Sequence, residues 1–373
     1  MSRIYSSIVE AIGETPIVQL QHLIDRTDIE LLAKLEYLNP SGSTKDRPFI
    51  HMLEVAERQG DIQPGATIID SSSGNFAIAM AMAGAVKGYR VLCVVDPKLT
   101  DVVRQMILSL GAEIVCVDQK DETGSYLRSR LEARKRLLEE TENSWCPDQY
   151  RNEACVEAHA LGTGREIVQA VDGRLDALVI AAGTGGTISG VAGECKRAIP
   201  GLRVIATDAV GSQIFDDTVH PWLQKGLGSG LRALELHNMN VDVIDEVRLI
   251  DDEDAFICAR ALARNEGLLA GGSSGTAVFA ALTLCRGLEP GSRILTILPD
   301  RLERYLFEHQ VDSWMEDHGF ETGRDPQIVK ERVELWCGQA CEYPGREGLP
   351  VLKRSLASAY GDDKIENPMA LKI

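Results

Sequence analysis

Three apolar runs in this chain stop abruptly at clusters of small polar residues, and each cluster opens into a helical pattern. Ala66 to Asp70 leads into Ser71-Ser72-Ser73-Gly74-Asn75, and Ala177 to Ala182 into Gly183-Thr184-Gly185-Gly186-Thr187. Leu268 to Ala270 leads into Gly271-Gly272-Ser273-Ser274-Gly275. Runs this short and this apolar suit strands buried on both faces. A parallel strand needs a crossover before its neighbour can form, and a helix supplies it, so the pattern commits the chain to an α/β fold.

The alternation continues on either side. Arg90 to Asp96, Glu113 to Asp118, Arg203 to Asp208, Val241 to Ile244 and Arg293 to Leu298 read as further strands, with Leu31 to Leu35 joining from the N-terminal side. Helices are predicted over Asn75 to Lys87, Val102 to Leu110, Ser125 to Glu140, Ile188 to Ile199 and Asp251 to Glu266, with another ending near Leu284. A chain of 373 residues exceeds one small core. The pattern divides into a small α/β domain over 46–150, a large one from 1–45 plus 151–306, and a C-terminal extension, 307–373. In the extension the periodicity weakens, and packing on the core, reaching across a dimer and partial disorder all stay open.

The formal net charge is −17, from 56 acidic and 39 basic residues, which leaves no basic face for a nucleic acid. A pocket for an anionic substrate must then gather positive charge locally. The longest apolar runs, such as Leu175 to Ala182, fall far short of a membrane span, so no membrane partner is expected. Met1 to Pro16 shows no secretory pattern, and nine scattered cysteines fit a reducing, cytoplasmic setting. Cys337 and Cys341 lack the further ligands of a structural zinc site, and no metal is expected.

The chemistry-bearing candidates have ordinary readings one at a time. In Asn39-Pro40-Ser41-Gly42-Ser43-Thr44-Lys45-Asp46-Arg47 the first residues are turn formers, and Ser43 or Thr44 could simply cap the next helix. A lysine at a helix start is disfavoured by the dipole, however, and that environment lowers an amine's pKa, as a nucleophilic lysine requires. Ser71 to Asn75 is either a cap or a row of donors suited to a carboxylate. Gly183 to Thr187 lets the backbone approach an oxyanion at a helix N-terminus, yet matches neither the dinucleotide fingerprint nor a P-loop.

Taken together, these segments resemble the cysteine synthase and cystathionine β-synthase superfamily of fold-type II pyridoxal-phosphate (PLP) enzymes, from about Ile8 to Leu306. The resemblance implies a tryptophan synthase β-like architecture: two open, twisted, mainly parallel sheets flanked by helices. It implies PLP as cofactor, small amino-acid substrates and a homodimer. Lys45 falls on the Schiff-base lysine, Asn75 beside the cofactor's 3′-oxygen, Gly183, Thr184, Gly185, Gly186 and Thr187 on the phosphate cup, and Ser273 opposite the pyridine nitrogen. Ser72, Ser73, Asn75, Phe76 and Gln149 fall on the substrate's carboxylate site. A serine cannot hold a proton on the ring nitrogen, so the ring is a weak electron sink. That favours β-replacement through an α-aminoacrylate over transamination.

Within the superfamily, Ala33 to Tyr37, Val94 to Lys98 and Ile297 to Arg301 look like the branch of N-(2-amino-2-carboxyethyl)-L-glutamate synthases, which join O-phospho-L-serine to glutamate for 2,3-diaminopropionate and siderophores. Phe76, where cysteine synthases carry threonine, counts against sulfide as nucleophile. Arg130 and Tyr150 align with positions expected to bind anionic groups, although Arg130 also reads as a solvated helix charge. The glycine-rich cup and Leu298-Pro299-Asp300 are shared with cystathionine synthases, so cysteine synthase and cystathionine β-synthase remain alternatives.

Overall fold

The computed structural model describes residues 3–120, 126–218 and 220–339. Ser125, the expected start of the charged helix, lies outside the described residues, as do Cys341 and the rest of the extension beyond 339. The strands are β1 (Ile17–Gln19), β2 (Glu30–Lys34), β3 (Thr67–Ser71), β4 (Arg90–Val95), β5 (Glu113–Cys116), β6 (Ser144–Trp145), β7 (Ala177–Ala181), β8 (Arg203–Ala209), β9 (Glu246–Ile250) and β10 (Arg293–Ile297). The helices are α1 (Asp46–Gln59), α2 (Asn75–Lys87), α3 (Asp101–Ser109), α4 (Leu127–Glu140), α5 (Ala154–His159), α6 (Arg165–Val171), α7 (Gly186–Ala198), α8 (Asp252–Ala261), α9 (Gly272–Cys285), α10 (Asp312–Asp317) and α11 (Pro326–Gln339).

One sheet has the order β1-β2-β10-β7-β8-β9 and the other β5-β4-β3-β6. Every pairing is parallel except that of β1 with β2. Helices cover both faces of each sheet, which is why the central strands carry no polar alternation. In the larger sheet, α8, α9 and α11 share one core, and the α6 and α7 side chains share another. In the smaller sheet, α1, α2 and α3 cover one face and α4 the other. The expected mixed architecture of two mainly parallel, helix-flanked sheets is the one observed.

Two strand assignments are corrected. Val241 to Ile244 is not a strand, because the Asn240 side chain accepts from the Asp242 N–H at 3.0 Å and turns Val241–Val243 into a 3-10 turn. The strand follows at β9, an edge strand whose Glu246 and Arg248 stay partly exposed while Val247, Leu249 and Ile250 are buried. Leu268 to Ala270 forms no strand either; only Ala270 makes a bridge, to Arg301. The charged helix α4 does have a strand after it, the two-residue β6, too short for a periodic signal.

Part of the extension packs on the core. Met315, Val329, Val333 and Trp336 are buried against α8 and α9, and Trp336 Nε1 donates to the Leu249 carbonyl at 3.3 Å. No helix of the described residues is long and apolar enough to cross a membrane.

The topology fixes where a ligand can sit. In the larger sheet β7 leads through α7 to β8 on one side, while β10 lies on its other side. In the smaller sheet β3 has β4 on one side and β6 on the other. Each is a switch point, where the loops leaving neighbouring strands diverge and open a crevice beyond the carboxyl ends. The two crevices face one another.

Candidate active site

A cavity of about 230 Å³ lies where they meet. Its walls include Lys45, Ser72, Asn75, Phe76, Gln149, Tyr150, Gly183, Thr184, Gly185, Thr187 and Ser273. The structure thus gathers residues as far apart in the chain as Lys45 and Ser273.

The lysine turn is held from three sides. The Thr44 N–H donates to the Pro299 carbonyl at 2.8 Å, beside a bridge between Ser43 and Asp300. Asn39 accepts from the Gly13 N–H at 2.9 Å and donates to the Glu36 carbonyl at 2.8 Å. Asp46 accepts from the Ser41 N–H at 2.7 Å and from its hydroxyl. Arg47, two residues past the lysine, is clasped by Glu36 and Glu166 with contacts of 2.7–2.8 Å. Lys34 joins Glu166 at 2.5 Å, so two cations and two anions close the cluster.

Lys45 itself opens on the cavity, and among the described residues its amine has no salt-bridge partner. Burial lowers its pKa, opposed by the neighbouring Cys155 and Asp300. This is the environment in which an amine becomes partly neutral and nucleophilic.

Strand β3 ends at Ser71, and α2 begins at Asn75, with Ser72, Asn75 and Phe76 at the cavity. The first N–H groups of a helix lack intrahelical acceptors and suit a carboxylate. Ser73 and Arg130 are placed differently. Arg130 donates to Ser73 Oγ at 3.0 Å and pairs with Asp96 at 3.2 Å, and neither residue belongs to the cavity wall. Tyr150 does line it, its phenol raised in pKa by burial.

Gly183 to Thr187 runs from β7 into the 13-residue α7. Gly185 has φ +93°, and a Cβ there would lie 2.6 Å from the Met239 nitrogen, so only glycine fits this turn. The Thr187 hydroxyl contacts His159 Nε2 at 3.2 Å, and His159 Nδ1 contacts Thr163 at 3.3 Å. Burial, then the charges of Lys45 and Arg47, push the His159 pKa well down, so the ring is neutral. Across the cavity, Ser273 sits in the first turn of α9, fully buried, its hydroxyl without a hydrogen-bond partner. Gly275 lets that helix approach α8, since a Cβ there would lie 1.9 Å from the Ala255 carbonyl oxygen.

The sequence reading left out several wall residues. Gly226 to Ser229 form a loop over the cavity, signalled by Lys225-Gly226-Leu227-Gly228-Ser229-Gly230 but attached to no strand end. Asp300 and Pro299 follow β10. His159 carries no local signal, because its role depends on a residue 28 positions away.

These groups fit PLP. An amine without a counter-ion suits the carbonyl carbon, a helix N-terminus with a glycine cradle suits the phosphate, and the orphaned Ser273 hydroxyl suits a ring nitrogen. The comparisons agree. Residues 8–300 match the family described as pyridoxal-phosphate dependent enzyme. N-(2-amino-2-carboxyethyl)-L-glutamate synthase of Ralstonia nicotianae is 44% identical over 312 residues, 84% of this chain and 91% of that protein. The protein of that name from Cupriavidus metallidurans is 42% identical over 314 residues, 83% of this chain and 91% of that one. The crystal structure of cysteine synthase from Entamoeba histolytica superposes with a TM-score of 0.79 at 31% identity, covering 89% of this chain and 96% of that one. This chain belongs to the pyridoxal-phosphate dependent enzymes, and pyridoxal phosphate is its cofactor.

Proposed function

We propose that the protein is a β-replacement synthase joining the amino nitrogen of L-glutamate to the β-carbon of O-phospho-L-serine. The product is N-(2-amino-2-carboxyethyl)-L-glutamate, a precursor of 2,3-diaminopropionate for siderophore-type biosynthesis. The observation that carries this reading is the 42–44% identity to two proteins bearing that name over more than four-fifths of the chain. The free thiols of the described residues fit a cytoplasmic setting.

When bound, PLP supplies an electron sink for bonds broken at the substrate's Cα. In this reading Lys45 would hold the cofactor, and its Nζ is placed to take the substrate's Cα proton and return it. Ser72, Phe76, Gln149 and the Asn75 backbone N–H bind the substrate carboxylate, the Asn75 side chain lies beside the cofactor's 3′-oxygen, and Phe76 narrows the cavity. Gly183 to Thr187 hold the cofactor phosphate, with the Thr187 hydroxyl oriented by neutral His159. The orphaned Ser273 hydroxyl would face the ring nitrogen without holding a proton there, which would favour expulsion of the β-substituent. An N–Cβ bond replaces the O–Cβ bond: inorganic phosphate leaves with the bonding pair, and the glutamate nitrogen gives up one proton as it bonds. The segment 46–150 supplies the substrate-facing wall, and 1–45 with 151–306 the cofactor-facing wall. Ser73 and Arg130 lie behind the substrate wall and support it through Asp96.

The test is a donor and nucleophile screen read by mass spectrometry. O-Phosphoserine with glutamate is expected to exceed every other pair in kcat/KM by about tenfold or more, a difference of about 1.4 kcal/mol. Faster turnover of O-acetylserine with sulfide would instead identify a cysteine synthase, and preference for homocysteine a cystathionine β-synthase.

A homodimer is part of the proposal. An apolar groove of about 880 Å³ between the lysine turn, α2 and α3 includes Ile8, Ile78, Met82, Val86 and Met106. Arg301 and Glu303 at its edge give the charge pair that a two-fold interface can reuse. Sedimentation equilibrium should return twice the chain mass, and Met82→Glu should shift it to the monomer. A monomeric wild type would refute this part.

A further inference from the structure

Asn75 is gripped at both ends of its carboxamide. Its Nδ2 donates to Asp300 Oδ2 at 2.7 Å, and its Oδ1 accepts from Arg304 Nε. Tyr305 donates its hydroxyl to the same Asp300 oxygen at 2.5 Å. Arg304 also donates through Nη2 to the Ser41 carbonyl at 2.6 Å, inside the lysine turn. Asp300, Arg304 and Tyr305 are all buried.

The two ends of an asparagine amide have nearly the same shape, and only their partners tell them apart. A guanidinium only donates, so it must face the amide oxygen. Asp300 Oδ2 receives two donors, so it must face the amide nitrogen. Reversing the amide would set two donors against each other at Arg304 and two acceptors at Asp300, at a buried wall where each mismatch is costly. With Oδ1 turned towards Arg304 and one Nδ2 hydrogen used, Asn75 keeps one N–H to offer. It can therefore meet a bound group as a donor.

We infer that Asp300, Arg304 and Tyr305 are positioning residues that fix Asn75 as a one-way donor to an ionised oxygen on the cofactor ring. The inference rests on the reading above, in which Lys45 carries the cofactor and Asn75 lies beside the ring's hydroxyl oxygen. A donor at that oxygen favours its ionised form, whereas an acceptor would favour the protonated form. The visible band of the Lys45-bound cofactor reports this balance, and a purely structural role would leave it unmoved. Through Ser41, Arg304 also ties the spacing of Asn75 to the turn that bears Lys45.

The test is a double-mutant cycle on reconstituted protein, read by the apparent Kd for PLP and by the ratio of visible to near-ultraviolet absorbance. Asn75→Ala is expected to weaken PLP binding by about tenfold or more and to lower the ratio, because a hydrogen bond to a charged group is lost. Asp300→Ala should reproduce most of both changes, while Asp300→Asn, which keeps an acceptor for Asn75, should retain the wild-type ratio. In the Asn75→Ala background, Asp300→Ala should change neither readout by more than about twofold. If its effects simply add to those of Asn75→Ala, Asp300 does not act through Asn75 and the inference is overturned. Should Asp300→Ala fail to fold, Tyr305→Phe takes its place in the same cycle. A wild type that never turns yellow, or a Lys45→Ala variant that does, would instead sink the underlying reading. With both controls as expected, the cycle alone decides.

Discussion

Replacing Lys45 with alanine leaves a protein that no longer develops the visible band with PLP and whose β-replacement rate falls by about 10⁴-fold or more. Two losses combine in that figure. The covalent attachment disappears, and so does the proton carrier at Cα, which alone is worth about 10²- to 10⁴-fold. Lys45→Arg separates nucleophilicity from charge. Arginine keeps the positive charge and stays protonated, so it should be as colourless and as slow as the alanine variant. Absorbance after reconstitution and single-turnover kinetics check both, and a yellow Lys45→Ala protein would exclude this lysine.

The largest expected effect on stability lies two residues further on. Arg47→Met leaves Glu36, whose side chain is 0% exposed, without its guanidinium partner. Removing one partner of a buried ion pair costs about 3–5 kcal/mol, chiefly because the other charge is stranded. Urea unfolding at neutral pH should show a loss of that size, and Glu36→Gln in the same chain should recover part of it.

The acid limb carries a second signature. Burial works to raise the Glu166 carboxyl, but its bonds to Arg47 and Lys34 outweigh this and hold its pKa at about 2, against an ordinary 4.5. A carboxylate depressed in the folded state stabilises above its unfolded pKa, and that stability is lost as pH falls from 4.5 through 2. The wild type should therefore lose stability across that window, and Arg47→Met should show a shallower loss. Equal slopes in the two proteins would mean that Glu166 is not held by Arg47.

The same region shows what the amino-acid sequence could and could not reveal. Asn75 and the Gly183 to Thr187 turn were legible because each follows a strand end, where an apolar run meets glycine or a hydroxyl residue, whereas Lys45 lies in a polar turn just before α1 and stood out only beside them. The strand at Glu246–Ile250 was not, since an edge strand with Glu246 and Arg248 partly exposed has a weaker apolar signal than the Val241 to Ile244 run before it. Asp300 was visible only as a residue after Leu-Pro. Its partner Asn75 lies 225 positions away, and no local periodicity carries such a pairing. Arg130 illustrates the opposite limit. Its charge was evident, but only the fold shows it beside Asp96 and Ser73.

The two facing switch points also bear on how such a protein can diversify. The larger sheet and its helices contribute Gly183, Thr184, Gly185, Thr187 and Ser273, and the smaller sheet and the segments leaving it contribute Ser72, Asn75, Phe76, Gln149 and Tyr150. If the proposed function holds, a change at Phe76 or Tyr150 would alter the room beside the incoming molecule, while the glycine cradle on the opposite side would keep its own hydrogen bonds and packing. New chemistry at the β-carbon can thus be sampled one wall at a time, without first surrendering the prosthetic group.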